Sequence, residues 1–385
     1  MDFSFTPEQE RLRQMLRAFA LRELLPQYAR WDRERRYPKE QVKKLCRLLW
    51  TDDPGERLDL ISAGIVAEEV ARGDFNCVLM SLGPFQLREF LKEAPAALRD
   101  RWIRAVSSGE SAIALALTEP EAGSDMGAMR TVARQDGDHF VLSGEKNSVS
   151  FLNADVFYVF ARTEAGSAGW KGISAFLVPR DTPGLSFREY EDMGCRAVPR
   201  GQLFLDEARV PAANMVGARG GAFPMIMSYL DVNRAFIGLK CLGAAQQTLD
   251  ETVAYVKTRQ QFGRPISRFE GVAFPLAEAA TLVEAARWLC YRILWKRERG
   301  EPCTAEGAMA KWWAPKISAE IIHECLLLHG HYGYTQELPL EQRLRDVIGW
   351  QIGDGTPQIQ KLIIARQLLG REFAPETRQP TGEAR

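Results

Sequence analysis

Apolar positions recur three and four residues apart near both ends of this chain, and in the middle the rhythm shortens. Near the start, Leu12, Met15, Leu16 and Phe19 fall on one helical face. Thr6-Pro7-Glu8-Gln9-Glu10 stands just before them. A threonine cap, a proline in the first helical position and an acidic first turn predict that a helix begins there. Further helices are predicted over 38–49 and 60–71, parted by the polar turn Thr51-Asp52-Asp53-Pro54-Gly55-Glu56. From about 112 to 215 the pattern changes. Asp136-Gly137-Asp138 separates 131–134 from 139–142, a hairpin signature. The runs 156–161, 173–178 and 203–205 are short, apolar and aromatic, punctuated by Pro179, Pro183 and Gly184. Helical patterns return over 223–258, 274–300, 304–329 and 357–369, rich in alanine, leucine and glutamate.

This order predicts an α+β chain in which two helical units enclose a β domain. The boundaries read as a helical N-terminal domain over 1–111, a middle β domain over 112–221 and a C-terminal helical bundle over 222–370. A polar tail over 371–385 is expected to fray. Ligands are expected at the junctions between these units.

Composition narrows the function classes. Lysine plus arginine and aspartate plus glutamate number 50 each in 385 residues, so the formal charge is zero. That balance gives no whole-molecule attraction to nucleic acid or to an acidic membrane. No stretch approaches the roughly 20 apolar residues that span a bilayer, and the opening residues lack the pattern of a signal peptide. Cys46, Cys77, Cys195, Cys241, Cys290, Cys303 and Cys325 are scattered, with no CxxC pair. Reduced thiols in a soluble cytoplasmic protein are expected, with no structural metal. His329 and His331 lack a third ligand nearby in sequence, so packing or a cofactor contact is expected of them. Trp312 and Trp313 are expected in a core rather than under a ligand.

Three segments carry candidate chemistry. In 114–125, an apolar strand enters the turn Thr118-Glu119-Pro120-Glu121-Ala122-Gly123-Ser124-Asp125. Backbone N–H groups and hydroxyls there can hold a pyrophosphate or a flavin edge; the plain alternative is an ordinary turn. Thr258-Arg259-Gln260-Gln261-Phe262-Gly263-Arg264-Pro265-Ile266 ends a long helix. Its arginine and aromatic ring could meet a nucleotide; the alternative is a basic helix end with Gly263 as its cap. Gly353-Asp354-Gly355-Thr356-Pro357-Gln358 precedes the last helix, with Thr356 as cap. Flanking glycines leave space around Asp354, and a carboxylate in a small apolar pocket can act as a base; the alternative is a turn residue near a positive helix end.

Together and in this order, the three segments resemble the acyl-CoA dehydrogenase family. Leu-Thr-Glu-Pro-x-Ala-Gly-Ser-Asp at 117–125 and Arg-x-x-Phe-Gly-x-Pro-Ile at 259–266 are its specific signatures, and the likeness runs from Asp2 to Arg366. The resemblance implies a helical N-terminal domain, a β-barrel-like middle domain and a C-terminal four-helix bundle. It also implies a homotetramer with FAD near a subunit interface, acyl-CoA as substrate and an electron-transferring flavoprotein as acceptor. Residue by residue, Leu115, Leu117 and Thr118 would meet the isoalloxazine ring, Gly123 and Ser124 the pyrophosphate and substrate side, and Ser148 and Ser150 the flavin near N5. Arg259, Phe262 and Gly330 would reach a neighbour's FAD, and Thr356 and Gln358 would contact FAD at the last helix. Asp231 and Arg234 would bind the CoA portion, and Gly353, Asp354 and Gly355 the reacting end. Asp354 would take the α-proton while a hydride leaves the β-carbon for flavin N5. The Asp354 N–H would help an FAD hydroxyl to bind the thioester oxygen.

Departures from the family pattern narrow the expectation. Relatives mostly carry Tyr-Glu-Gly-Thr where this chain has Gly353-Asp354-Gly355-Thr356. The aromatic that often precedes the N5-contacting hydroxyl is Ser148, and a second family base position holds Asn233. A shorter base and an emptied neighbour suit a compact or cyclic acyl group. Segments 61–76, 311–316 and 329–334 resemble a narrower group, the cyclohexane-1-carboxyl-CoA dehydrogenases. That resemblance implies formation of cyclohex-1-ene-1-carboxyl-CoA, or onward conversion of that alkene to a diene. The short run from Leu49 to Pro54 stands where relatives have a longer loop. It leaves open a carrier-protein desaturase or oxidase on the same scaffold. Leu327, Gly330 and His331 replace the family's glutamine and paired glycines. A flavin-bearing binding protein without turnover is the alternative of another class; zero net charge and the retained carboxylate weigh against it.

Overall fold

The computed structural model describes residues 4–50, 58–92, 94–164, 166–167, 169–373 and 375. The polar turn expected at 51–56, the start of the chain and most of the expected tail lie outside them. α1 (Pro7–Phe19) begins where the sequence predicts. The Thr6 hydroxyl accepts from the Gln9 N–H at 3.2 Å, and the Gln9 side chain accepts from the Thr6 N–H at 3.1 Å, a reciprocal cap. A π turn at Ala20–Leu24 and a 3-10 turn at Leu25–Gln27 lead into α2 (Tyr28–Glu34). α3 (Lys39–Leu49), α4 (Leu60–Gly73), α5 (Cys77–Ser81), α6 (Gly83–Phe90) and α7 (Ala96–Ser107) complete the first unit. α4 is buried on nearly every side. Its contact with the long helix of the third unit is so close that a Cβ at Gly243 would lie 2.1 Å from the Glu68 carbonyl oxygen.

The middle of the chain forms one eight-stranded sheet: β1 (Ile113–Ala116), β2 (Val132–Asp136), β3 (His139–Ser150), β4 (Val156–Arg162), β5 (Ile173–Pro179), β6 (Leu185–Glu189), β7 (Arg200–Pro211) and β8 (Met215–Val216). The order is β6-β7-β3-β2-β4-β5-β8, with β1 parallel to β4. Two halves meet at one parallel pair, Val132 with Arg162. The Arg162 guanidinium reinforces that joint through the carbonyls of Gly127, Gly169 and Lys171 at 3.0, 3.1 and 2.8 Å. β3 is irregular between Lys146 and Val149 against β7, which re-aims the strand end; Ser148 has φ 56° there.

The third unit opens with α8 (Ala222–Thr258), 37 residues and about 55 Å long. A hairpin of β9 (Gln260–Gln261) and β10 (Arg264–Pro265) follows. Phe262 and Gly263 both have positive φ at its tip, as a two-residue hairpin turn requires. Gly263 is therefore a hairpin residue and not the helix cap weighed from sequence. α9 (Glu270–Glu298), α10 (Thr304–Leu328), α11 (Leu340–Ile352) and α12 (Pro357–Leu369) follow, and α10 packs against α8, α9, α11 and α12. Among the described residues no helix is long and apolar enough to cross a membrane.

Candidate active site

The turn between α11 and α12 carries Asp354. Asp354 and Gly355 have φ values of 56° and 97°, which bends the chain sharply enough for Thr356 to cap α12. Aspartate tolerates the left-handed region better than most residues. Gly355 has no substitute: a Cβ there would lie 2.5 Å from Gln360 Nε2. Two side chains hold this turn by its carbonyls. Gln360 Nε2 donates to the Asp354 and Gly355 oxygens at 3.3 and 3.1 Å. Lys311, buried on α10, donates to the Trp350 and Gly355 oxygens at 2.8 and 3.1 Å. Burial brings the Lys311 ammonium down to about 8. Lys240 of α8 lies over the Trp350 ring, 2.8 Å from its centroid, and burial lowers it to about 7.

The carboxylate itself faces α8. Asn233 Nδ2 donates to Asp354 Oδ2 at 2.9 Å, and the Tyr229 hydroxyl donates to Asn233 Oδ1 at 3.1 Å. Among the described residues the Asp354 N–H has no acceptor. A Cβ at Gly353 would meet only the Gly349 oxygen at 3.7 Å and Trp350 Cε3 at 3.9 Å, ordinary contacts, so space exists beside this turn. The next residue on α8, Arg234, is buried and pairs with Asp231 at 2.7 Å, while the Thr304 hydroxyl donates to Asp231 at 2.6 Å. Among the described residues the Arg234 Nε has no partner.

The other candidate residues gather on the rim of β1 and β3. Leu115, Leu117 and Thr118 are half-buried, and Gly123 and Ser124 are exposed. Glu119 and Ala122 exchange backbone bonds at 3.2 and 3.1 Å, which closes the tight turn expected there. The Thr118 oxygen accepts from the Asn147 N–H at 2.8 Å, and this places the end of β1 beside Ser148 and Ser150. Sequence reasoning gave no role to Glu119 or Lys146. The Glu119 carboxylate accepts from the Arg130 and Thr131 N–H groups at 2.6 and 3.0 Å and from the fully buried Lys146 ammonium at 2.7 Å. Lys146 also reaches the Leu117 oxygen at 3.3 Å. Neither residue stands out in sequence, since Glu119 lies in the polar turn after β1.

Arg259 and Phe262 are exposed on the hairpin after α8, and Phe262 touches only Phe269 among the rings, at 6.0 Å. Among the described residues no hydrogen bond or ring contact joins that hairpin to the β1 rim. Gly330 is exposed with φ 61°, and Gln358 is exposed on α12. His329 is buried, stacks on Tyr255 at 4.3 Å and bonds the Cys325 oxygen at 2.8 Å. Trp312 and Trp313 are half-buried. The described cysteines are all free thiols, six of them buried.

The rim suits FAD in kind. Leu115 and Leu117 make an apolar ledge, Thr118, Ser124 and Ser150 supply hydroxyls, and a Cβ at Gly123 would meet nothing within 4 Å. Comparison with known proteins agrees. Family profiles described as acyl-CoA dehydrogenase N-terminal, middle and C-terminal domains match residues 6–110, 114–208 and 220–369. The short-chain-specific acyl-CoA dehydrogenase of Clostridium acetobutylicum is 35% identical over 379 residues, covering 96% of this chain and all of its own. A glutaryl-CoA dehydrogenase solved with glutaryl-CoA superposes with a TM-score of 0.92 at 31% identity, over 98% of this chain and 99% of that one. The prolyl acyl carrier protein oxidase AnaB gives 0.89 at 26% identity, over 95% of this chain and all of that one.

Proposed function

This chain belongs to the acyl-CoA dehydrogenase family, FAD-dependent oxidoreductases acting on acyl-CoA thioesters, and we propose that Asp354 removes the α-proton of a compact acyl group, best matched by cyclohexane-1-carboxyl-CoA. The product is then cyclohex-1-ene-1-carboxyl-CoA. The observation that carries this reading is the Asp354 carboxylate, held on Asn233 at 2.9 Å with Gly353 beside it. When bound, FAD supplies the acceptor for the two electrons and the β-hydrogen. The Asp354 N–H, free of protein acceptors, is left to bind the thioester oxygen as charge develops there.

Packing behind the carboxylate supports a short acyl group. The Tyr229 ring meets Phe90 edge-on at 4.7 Å, and Phe90 stacks on Tyr158 at 4.5 Å. This aromatic packing stands behind the partner of Asp354 and leaves the proposed acyl site room only in front of it. The relatives whose names specify short-chain and glutaryl substrates fit the same limit. Asp231 and Arg234 remain assigned to the CoA side, with the unspent Arg234 Nε as the available donor. Arg259, Phe262 and Gly330 are assigned to FAD across a subunit interface of a tetramer, with Thr356 and Gln358 contacting FAD at α12. An electron-transferring flavoprotein is the proposed acceptor and the cytoplasm the proposed compartment.

Ser148 favours a second reading. It is exposed at φ 56° on the rim of β3, and Arg200 reaches it at 3.4 Å. A small side chain there leaves the flavin edge open, as an oxidase or carrier-linked desaturase would require. Anaerobic titration of the flavin absorbance with cyclohexanecarboxyl-CoA, cyclohex-1-enecarboxyl-CoA, butyryl-CoA and octanoyl-CoA tests both. Rapid bleaching by cyclohexanecarboxyl-CoA is expected. Bleaching by straight chains alone overturns the ring assignment, and stoichiometric hydrogen peroxide in air selects the oxidase reading.

A further inference from the structure

We propose that Asn233, aimed by Tyr229, is the positioning residue of the Asp354 carboxylate. This rests on Asp354 being the base. Tyr229 and Asn233 are four apart on α8, so they share a helix face. The phenol O–H donates to Asn233 Oδ1. The carboxylate settles the amide orientation: an ionised oxygen only accepts, so Nδ2 faces Asp354 Oδ2 and the amide oxygen faces the phenol. The reverse orientation would set the amide oxygen against a carboxylate oxygen. Burial, then the charges of Asp354 and Glu89, push the Tyr229 phenol well up, so it stays a donor. Phe90 packs edge-on against the Tyr229 ring and keeps it in place.

The consequence is directional. One carboxylate oxygen, Oδ2, is occupied by the amide, which leaves Oδ1 to take the proton. An aspartate reaches less far than a glutamate, so its aim matters more, and a fixed donor on one oxygen supplies that aim. Asn233 at the position where relatives can carry a second base thus becomes the partner of the base. Other charged groups feel the carboxylate from the packed elements: Arg234 and Lys240 of α8 and Lys311 of α10. Variants at 229 and 233 leave all three cations in place.

The test uses the full-length FAD-loaded enzyme, with whichever of cyclohexanecarboxyl-CoA and butyryl-CoA it turns over faster. Asn233→Ala is expected to lower kcat about tenfold, the scale of one hydrogen bond to a charged group, with KM changed less than about threefold. The α-deuterium isotope effect on anaerobic flavin reduction is expected to rise, because a misaimed base slows proton removal itself. Tyr229→Phe, which deletes one hydroxyl, is expected to raise the same isotope effect by less. An unchanged isotope effect in Asn233→Ala overturns the proposal. If that variant fails to retain FAD, an unchanged isotope effect in Tyr229→Phe overturns it instead. Asp354→Asn separates this from the underlying assignment. It is expected to lose on the order of 10² or more in kcat, as for a general base. Full activity in Asp354→Asn would overturn the base assignment, whereas its inactivity beside a wild-type Asn233→Ala would overturn only the positioning role.

Discussion

One methylene separates aspartate from glutamate, and in the proposed reading that methylene at residue 354 sets how far the base reaches. Beside it a Cβ at Gly353 would make only ordinary contacts. Asp354→Glu is therefore expected to shift preference toward straight chains, read as the ratio of kcat/KM for butyryl-CoA to that for cyclohexanecarboxyl-CoA. An unchanged ratio would show that reach does not set selectivity. Asp354 was legible as a candidate because glycines and a helix cap surround it in sequence. Its partner was not. Asn233 lies 121 residues away, and no spacing rule links two side chains so far apart. Sequence reading placed Asn233 correctly on the helix after the sheet and gave it no task. Lys311 and Gln360 were hidden for the same reason, since their acceptors are backbone oxygens that only the folded turn brings within reach.

Among the elements, the end of β1 depends on a clamp that crosses to β3. Burial by itself would raise the Glu119 carboxyl, but the Lys146 ammonium, Thr131 and the Arg130 N–H together hold it below 4.5. A depressed carboxyl contributes stability above its unfolded value and loses it as pH falls through its folded value. Lys146→Met would strand a buried carboxylate, at a cost of about 3–5 kcal/mol near neutral pH. The deficit should narrow as pH falls, because without the ammonium burial raises the variant's carboxyl and Glu119 then takes up a proton rather than staying charged; chemical denaturation at two pH values checks both signs. Elements with clean punctuation were legible: α1 from its threonine cap, first-position proline and acidic first turn, the β2–β3 hairpin from Asp136-Gly137-Asp138, α12 from Thr356. α11 was not. Its buried set includes Gln342, Arg343 and Asp346, so no apolar stripe marks it. Arg343 pairs with Glu251 at 2.6 Å and Asp346 accepts from Tyr28 at 2.6 Å, contacts that turn polar residues inward.

For the molecule as a whole, the apolar surface of the third unit is uneven. Phe262 is 91% exposed, Tyr334 89% and Leu368 73%; single exposed apolar side chains are ordinary on a protein surface, so only the FAD contact proposed for the Phe262 hairpin gives one of them a task. Phe262→Ser is expected to lower both the assembled mass and the FAD retained after gel filtration, leaving the far-ultraviolet helical signal intact. Full FAD retention would remove the hairpin from the cofactor site. The order of helical, β and helical units was legible because periodicity survives without long-range contacts. The joint between the two sheet halves was not, since it is one residue pair and one guanidinium. The turn that carries Asp354 adds a last consequence. Lys311 and Gln360 grip it by backbone oxygens, so they are indifferent to the side chains at 353 and 354. In the proposed reading, acyl preference can therefore change at 353 while the scaffold stays put, because neither grip on the turn involves that side chain.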